Sequence, residues 1–452
     1  MPSIKYSVLF KNKIRKFNKT TNVDPDKSIS IRSFLIGSIS QGVSEVTNIL
    51  ESEDIFSTIN CLKKLGVKIK KIGKKNYLIH GNGLGSLNIK KNGLLDFGNS
   101  GTCARLLIGI LSTTPNINVF LKGDKSLSKR SMYKLIKIMN EFGAEFHPKN
   151  KFNFPLKMIS SDIPTGILYK SGVSSQLKSA VMLASINSYG TSVVIEKKNI
   201  ESRDHTENIL LKNSKILQIK KERNKNIMKI FGKGFLRPLK LSVFGDPSSA
   251  AFLAAITMLT PNSYLKIKNV GLNPKRIGFY KLMKKHGAKI IYKNVRKNSI
   301  NEPVGDIYIK SSKLKPIKAE AKLYPTMPDE YPISFIIAAL TPGTHIFKGI
   351  SDLYNKESSR AHEIKKILNQ IGVKCQLTKN EMKIFGTNKV RKKLIKVTSL
   401  GDHRICMSSA VLSLVTSCPA RINGFETVKT SSPSFLKTIK TLGGKFEIRK
   451  AS

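Results

Sequence analysis

Five times along this chain a helical segment runs into a glycine and then into a strand-like stretch. LKKLGVKIK from Leu62, IMNEFGAEF from Ile138, LMKKHGAKI from Leu282, ILNQIGVKC from Ile367 and IKTLGGKFEI from Ile439 share that form. The glycines are Gly66, Gly143, Gly287, Gly372 and Gly443. Each suits the left-handed conformation that closes a helix and turns the chain into a strand. A sixth, degenerate copy, LLKNSKILQI, puts Ser214 at the glycine position, and the six positions then fall 71 to 85 residues apart. Units of that size are small α/β modules rather than solenoid repeats. Six of them fill the 452 residues, a chain too long for one core, so two domains of three modules each is the economical arrangement.

Each module also offers a helix start rich in small, hydroxyl-bearing or charged residues. In order these are Lys27-Ser28 to Arg32, GNSGT from Gly98, GVSSQLKSA from Gly172, GDPSSAAF from Gly245, MPDEYP from Met327 and GDHRI from Gly401. The sharpest is GNSGTCARLL, Gly98 to Leu107, where little side-chain bulk precedes an apolar helical run. A helix start presents free N–H groups and the positive end of a dipole, which suits a phosphate. Arg105, a turn further in, adds a charge or a structural ion pair. Singly, each Ser or Thr reads as an ordinary N-cap. Six such starts converging on one cleft would be a strong anion trap.

Prolines mark the boundaries. Asp24-Pro25-Asp26 and Gly245-Asp246-Pro247 predict hinges near 24–26 and 245–247. Residues 1–23 and 247–452 would form one discontinuous domain, with a first strand over Ile4 to Phe10, and residues 24–246 the other.

The net charge of +50 invites a nucleic-acid reading. Lysine and arginine are spread over the whole chain without interleaved aromatics, so the charge reads instead as a solvated basic surface with no specific nucleic-acid partner. The five cysteines form no CxxC pair and the seven histidines no HxxxH or HExxH pair. That pattern suggests reduced thiols in a cytoplasmic protein and no metal site. The apolar runs are too short for a bilayer, and the basic N-terminus lacks the apolar core of a signal peptide.

Taken in order, the strings DKSISIR, GNSGTCARLL, LSKRSM, SSQLKSA, ESRDHTE, GDPSSAAF, NPKRIG, DEYP, KESSR, GDHRI and VKTSSPSF resemble the 5-enolpyruvylshikimate-3-phosphate synthases. The resemblance runs from Lys27 to Phe435. It implies an α/β fold of two domains, each of three βαβαββ units with helix N-termini facing the cleft, which agrees with the count of glycines. It also implies a reaction. The carboxyvinyl group of phosphoenolpyruvate moves to the 5-hydroxyl of shikimate 3-phosphate and phosphate leaves, a step toward chorismate and the aromatic amino acids. The family uses no metal or organic cofactor, and a monomer binding only these two small molecules is expected.

Both substrates are polyanions, so such a site needs fixed cations and N–H donors, with carboxylates beside them for proton transfer. By family position, Lys27, Arg130 and Lys429 should hold the phosphoenolpyruvate phosphate, helped by Gly101 and Gln176. Arg360 and Arg404 should grip its carboxylate, where a guanidinium fork suits a planar partner. Ser28, Arg32, Ser174, Ser175, Gln176 and Arg203 should hold shikimate 3-phosphate, with Lys356 and Asp329 near its ring hydroxyls. Asp329 is the candidate base for the 5-hydroxyl. Glu357, with Lys27, would serve proton traffic at the enolpyruvyl carbon, and His403 reads as a supporting imidazole. Without the ordered set, Asp329-Glu330 and Lys356-Glu357 would read as solvated surface pairs.

Four departures fall beside these positions. Ser359 replaces the Asp of KESDR, Ser131 the Pro of LSKRP, Phe244 and Pro247 alter PGDISSA, and Ser432 stands where an aromatic often precedes the late proline. The sister family that transfers enolpyruvyl to UDP-N-acetylglucosamine carries a loop cysteine that GDKSLSKRSM lacks. In the resembled family Gly101 borders the pocket that the herbicide glyphosate shares with phosphoenolpyruvate, and its retention predicts sensitivity.

Overall fold

The computed structural model describes residues 5–450. Packing divides the chain into two compact units. Unit 1 takes the chain up to Asp24, then Phe244–Arg296 and everything from Pro303 on; unit 2 takes Pro25–Val243 and the short excursion Lys297–Glu302.

Twelve helices occur among the described residues. They are α1 (Lys27–Ile39), α2 (Glu53–Lys64), α3 (Gly101–Ser112), α4 (Tyr133–Glu141), α5 (Ser175–Ser185) and α6 (His205–Asn213) in unit 2. Unit 1 has α7 (Pro247–Leu259), α8 (Gly278–Lys285), α9 (Tyr331–Ala339), α10 (Arg360–Gln370), α11 (His403–Thr416) and α12 (Phe435–Thr441). Odd and even helices differ in kind. Every residue of α9 is buried, and α7 and α11 are buried almost throughout. The even helices bury one face only; α10, for instance, buries Arg360, Ala361, Ile364, Ile367 and Leu368. An all-round apolar helix must lie in a core, whereas an amphipathic one covers it.

Each unit wraps three four-stranded sheets around its odd helices. The sheets repeat one pattern: an edge strand runs parallel to its neighbour, and the next two pairings are antiparallel. Lys240–Ser242, Gln41–Thr47, Asn76–Asn82 and Lys68–Gly73 illustrate it. In unit 1, Tyr6–Phe10 pairs antiparallel with both Ala420–Asn423 and Phe446–Lys450. Ile4, expected in that first strand, lies outside the described residues.

The glycines behave as their spacing suggests. Gly66, Gly143, Gly287, Gly372 and Gly443 have φ of 84°, 90°, 97°, 80° and 91° just after α2, α4, α8, α10 and α12. Ser214 after α6 instead sits at φ −156°, in extended backbone, because a side chain disfavours the left-handed turn.

In unit 1, Phe335 on α9 is fully buried and meets the Phe347 ring edge-on at 5.0 Å. Phe335→Ala is expected to destabilise by about 3–5 kcal/mol through lost burial plus a cavity. Denaturant unfolding reads this, and a loss below about 1 kcal/mol would mean that the site collapses to refill the space.

Candidate active site

The odd helices begin at the six expected starts. Asp26 accepts from the Ile29 N–H at 2.9 Å, Ser100 from Cys103 at 3.3 Å and Ser174 from Leu177 at 3.4 Å. Asp246 accepts from the Ser248 N–H at 2.8 Å and Asp402 from Arg404 at 2.9 Å. These caps fix where each first turn begins and leave other N–H groups facing outward. Of the six odd helices, α9 alone starts without a side-chain cap bond.

In unit 2 the first turns of α1, α3 and α5 are tied by side chains. Lys27 Nζ lies 3.0 Å from Asp54 Oδ2. Arg32, 3% exposed, donates from Nε to Thr206 Oγ1 at 2.8 Å and from Nη2 to Ser179 Oγ at 2.9 Å. Its Nη1 donates to the carbonyl of Ser28 at 3.1 Å. Burial pulls the Arg32 pKa down to about 10 against the attraction of Glu207, Asp26 and Glu302, while nearby Arg203 adds to the fall. Arg32 therefore stays charged at neutral pH. Gln176 links α5 to α3, donating to Thr102 Oγ1 at 2.9 Å and accepting from Arg105 Nη1 at 3.0 Å. Arg130 donates to Asn99 Oδ1 at 2.8 Å beside Gly101. Ser175 begins α5, and Arg203 precedes α6, partly buried.

In unit 1 the starts of α9, α10 and α11 meet at one guanidinium. Arg360, 1% exposed, lies 3.2 Å from Asp329 Oδ1, 2.6 Å from Glu357 Oε2 and 2.9 Å from Asp402 Oδ2. Burial works to lower its pKa, but Asp402, Glu357 and Asp329 together outweigh burial and hold it well above the ordinary arginine value. Asp329 also faces Arg276, at 3.9 Å, and Arg276 bonds Asp246 at 3.0 Å. Arg404, 4% exposed, stacks over the Phe252 ring at 5.7 Å. No hydrogen-bond partner lies within reach of its Nε or Nη1 among the described residues. His403 is buried beside it.

The structure thus gathers Ser28, Arg32, Ser174, Ser175, Gln176, Gly101, Arg130 and Arg203 in unit 2. It gathers Asp329, Glu357, Arg360 and Arg404 in unit 1. Lys356 and Lys429 face other partners: Lys356 Nζ lies 2.6 Å from Asp352 Oδ2, and the exposed Lys429 lies over the Tyr6 ring at 5.5 Å. Asp54, Arg276 and Asp402 belong to these clusters yet received no role from the sequence. GDHRI and NPKRIG contained two of them, but nothing local distinguishes a bridging Asp or Arg from a cap or a solvated charge.

Three of the altered positions are accommodated locally. Ser131 Oγ accepts from the Tyr133 N–H at 3.2 Å, Ser432 Oγ donates to Asp24 Oδ2 at 2.9 Å, and Pro247 occupies the first turn of α7. Ser359 makes no cap bond, and the carboxylate of Asp402 serves both Arg360 and Ser358 Oγ.

Two solved structures have this architecture. One is an EPSP synthase from Acinetobacter baumannii, 33% identical, with a TM-score of 0.83 over 98% of this chain and 99% of that one. The other is the enolpyruvyl transferase NikO from Streptomyces tendae, 11% identical, with a TM-score of 0.73 over 100% of both chains. The fold, then, is the one these two transferase structures share. Residues 11–439 match the EPSP synthase (3-phosphoshikimate 1-carboxyvinyltransferase) family, and the chain belongs to it. Curated relatives bearing that enzyme name include the protein of Zymomonas mobilis, 36% identical over 94% of each chain. That of Bacillus subtilis is 34% identical over 96% of this chain and 99% of its own.

Proposed function

We propose that the chain moves the carboxyvinyl group of phosphoenolpyruvate onto the 5-hydroxyl of shikimate 3-phosphate, with phosphate leaving, in the shikimate route to chorismate. The observation that carries this reading is Arg404: a buried guanidinium whose Nε and Nη1 lack hydrogen-bond partners among the described residues is costly unless an anion pairs with it. It lies in unit 1 with the Arg360 cluster, where a carboxylate needs fork-shaped donors.

On this reading Arg360 and Arg404 hold the phosphoenolpyruvate carboxylate, and Lys27, Arg130, Lys429, Gly101 and Gln176 receive its phosphate. Ser28, Arg32, Ser174, Ser175, Gln176 and Arg203 hold shikimate 3-phosphate, and Lys356 and Asp329 meet its ring hydroxyls. Asp329 takes the proton of the 5-hydroxyl as its oxygen bonds to carbon two of phosphoenolpyruvate. Glu357, with Lys27, supplies the proton gained by carbon three. Reversing that second transfer from the tetrahedral ketal expels phosphate and restores the double bond. The boundaries near 24–26 and 245–247 are the proposed hinges between a domain of residues 1–23 and 247–452 and one of 24–246. The enzyme works as a monomer in the cytoplasm; among the described residues no helix is long and apolar enough to cross a membrane.

Phosphate release from phosphoenolpyruvate is expected with shikimate 3-phosphate as acceptor and not with UDP-N-acetylglucosamine. Release with the nucleotide sugar alone would overturn the assignment.

A further inference from the structure

Beneath the shikimate 3-phosphate ligands lies a buried ionic knot that the reaction itself does not use. Lys178 on α5 is fully buried, and its Nζ lies 2.7 Å from Glu196 Oε1 and 2.6 Å from Glu207 Oε1. Both carboxylates are buried as well, 1% and 3% exposed. Each partner belongs to a different piece of unit 2. Glu196 lies on the strand Thr191–Lys197, and the same Oε1 accepts from the Ser202 backbone N–H and from Ser202 Oγ, both at 3.0 Å. Ser202 immediately precedes Arg203. Glu207 lies on α6, one residue after Thr206, whose Oγ1 receives Arg32 Nε and donates to Ser179 Oγ. Ser179 is the residue after Lys178.

One ammonium group therefore ties together three substrate-facing segments: the start of α5, the loop ending in Arg203, and the α6 turn that orients Arg32. A buried charge network of this kind adds little net stability, because desolvation offsets the attraction. What it supplies is fixed geometry, since breaking one member leaves a buried carboxylate without its counter-ion. Lys178 also limits what Glu207 can do. With Lys178 in place, Glu207 is held beside Arg32 without being its salt-bridge partner, and the Arg32 fork remains on two hydroxyls.

We propose that Lys178 is a positioning residue for shikimate 3-phosphate, holding Arg203, Arg32 and the first turn of α5 in register through Glu196 and Glu207. The inference rests on the acceptor assignment above. Lys178→Met would free Glu207 to draw Arg32 away from the substrate phosphate and would release the Arg203 loop. Because that variant leaves two buried carboxylates facing each other, the charge-relieved double variant Lys178→Met with Glu207→Gln is its companion.

Steady-state kinetics and calorimetric titration with shikimate 3-phosphate alone test the idea. In the double variant Glu207→Gln removes the pull on Arg32, so what remains is the broken tie from Lys178 through Glu196 to Ser202 and the Arg203 loop. The KM and Kd for shikimate 3-phosphate are still expected to rise about tenfold or more, while the KM for phosphoenolpyruvate stays within about threefold. A general loss of fold would raise both together. Lys178→Arg, which retains the charge, should recover part of the shikimate 3-phosphate affinity. A folded double variant with wild-type KM and Kd for shikimate 3-phosphate, or equal losses for both substrates, would overturn the proposal. A wild-type enzyme that does not turn over shikimate 3-phosphate would instead overturn the acceptor assignment.

Discussion

Asp329→Asn is expected to lower kcat by about 10²-fold or more while leaving substrate binding largely in place. The carboxylate sits between two buried guanidinium groups, 3.2 Å from Arg360 and 3.9 Å from Arg276. Asparagine has the same shape and keeps an oxygen that accepts from Arg360. What it lacks is a site for the proton of the 5-hydroxyl, so the loss should fall on the chemical step. Turnover gives kcat, and calorimetric titration with shikimate 3-phosphate gives the binding. Wild-type kcat in a folded variant would remove Asp329 from the mechanism. A Kd raised as much as kcat falls would make it a ligand rather than a base.

Gly101→Ala should weaken glyphosate far more than phosphoenolpyruvate. Gly101 has no positive φ, since it opens α3 in helical backbone, so alanine meets no conformational penalty there. The added methyl instead meets Arg105 Nη1 at 2.8 Å and Arg130 Nη1 at 2.9 Å, with Leu127 at an ordinary 3.6 Å. Both close neighbours are ends of long, flexible side chains, so the protein should fold. The guanidinium of Arg130 must nevertheless shift, and it is one of the proposed phosphate ligands. Such overpacking costs about 1–3 kcal/mol, which is roughly 5- to 150-fold in the glyphosate inhibition constant. The shorter substrate should lose less. Measuring both constants in both forms decides it, and a folded, equally inhibited variant would show that Gly101 does not border the pocket.

The parts of the fold legible in the sequence are those fixed by local backbone chemistry. A glycine after α2, α4, α8, α10 and α12 was readable because other residues rarely hold φ near 90°. The six odd helix starts were readable because caps and small residues cluster there. The excursion Lys297–Glu302 was not. Nothing in NSINE announces that Glu302 will be buried against His205 Nδ1, at 2.7 Å and 97 residues away in the chain. The same holds for Lys178, Glu196 and Glu207, and for Arg276 with Asp246. In a chain that is 24% charged, a residue destined for a buried ion pair looks like any solvated one. Only the fold brings its partner to it.

The arrangement at Arg360 also bears on how a ligand would arrive. Its guanidinium has five N–H groups, and Asp402, Glu357 and Asp329 already engage its Nε, Nη2 and Nη1. An incoming substrate carboxylate on the proposed site therefore meets an occupied fork and acts as a competitor for it. Asp402, wholly buried and committed to the α11 cap, is the anion least able to yield. Asp329 and Glu357 are the more exposed two, with side chains 24% and 17% accessible. A substrate seated there would therefore exchange one anion for another at the guanidinium, with the Asp402 contact left in place as the fixed point of the site.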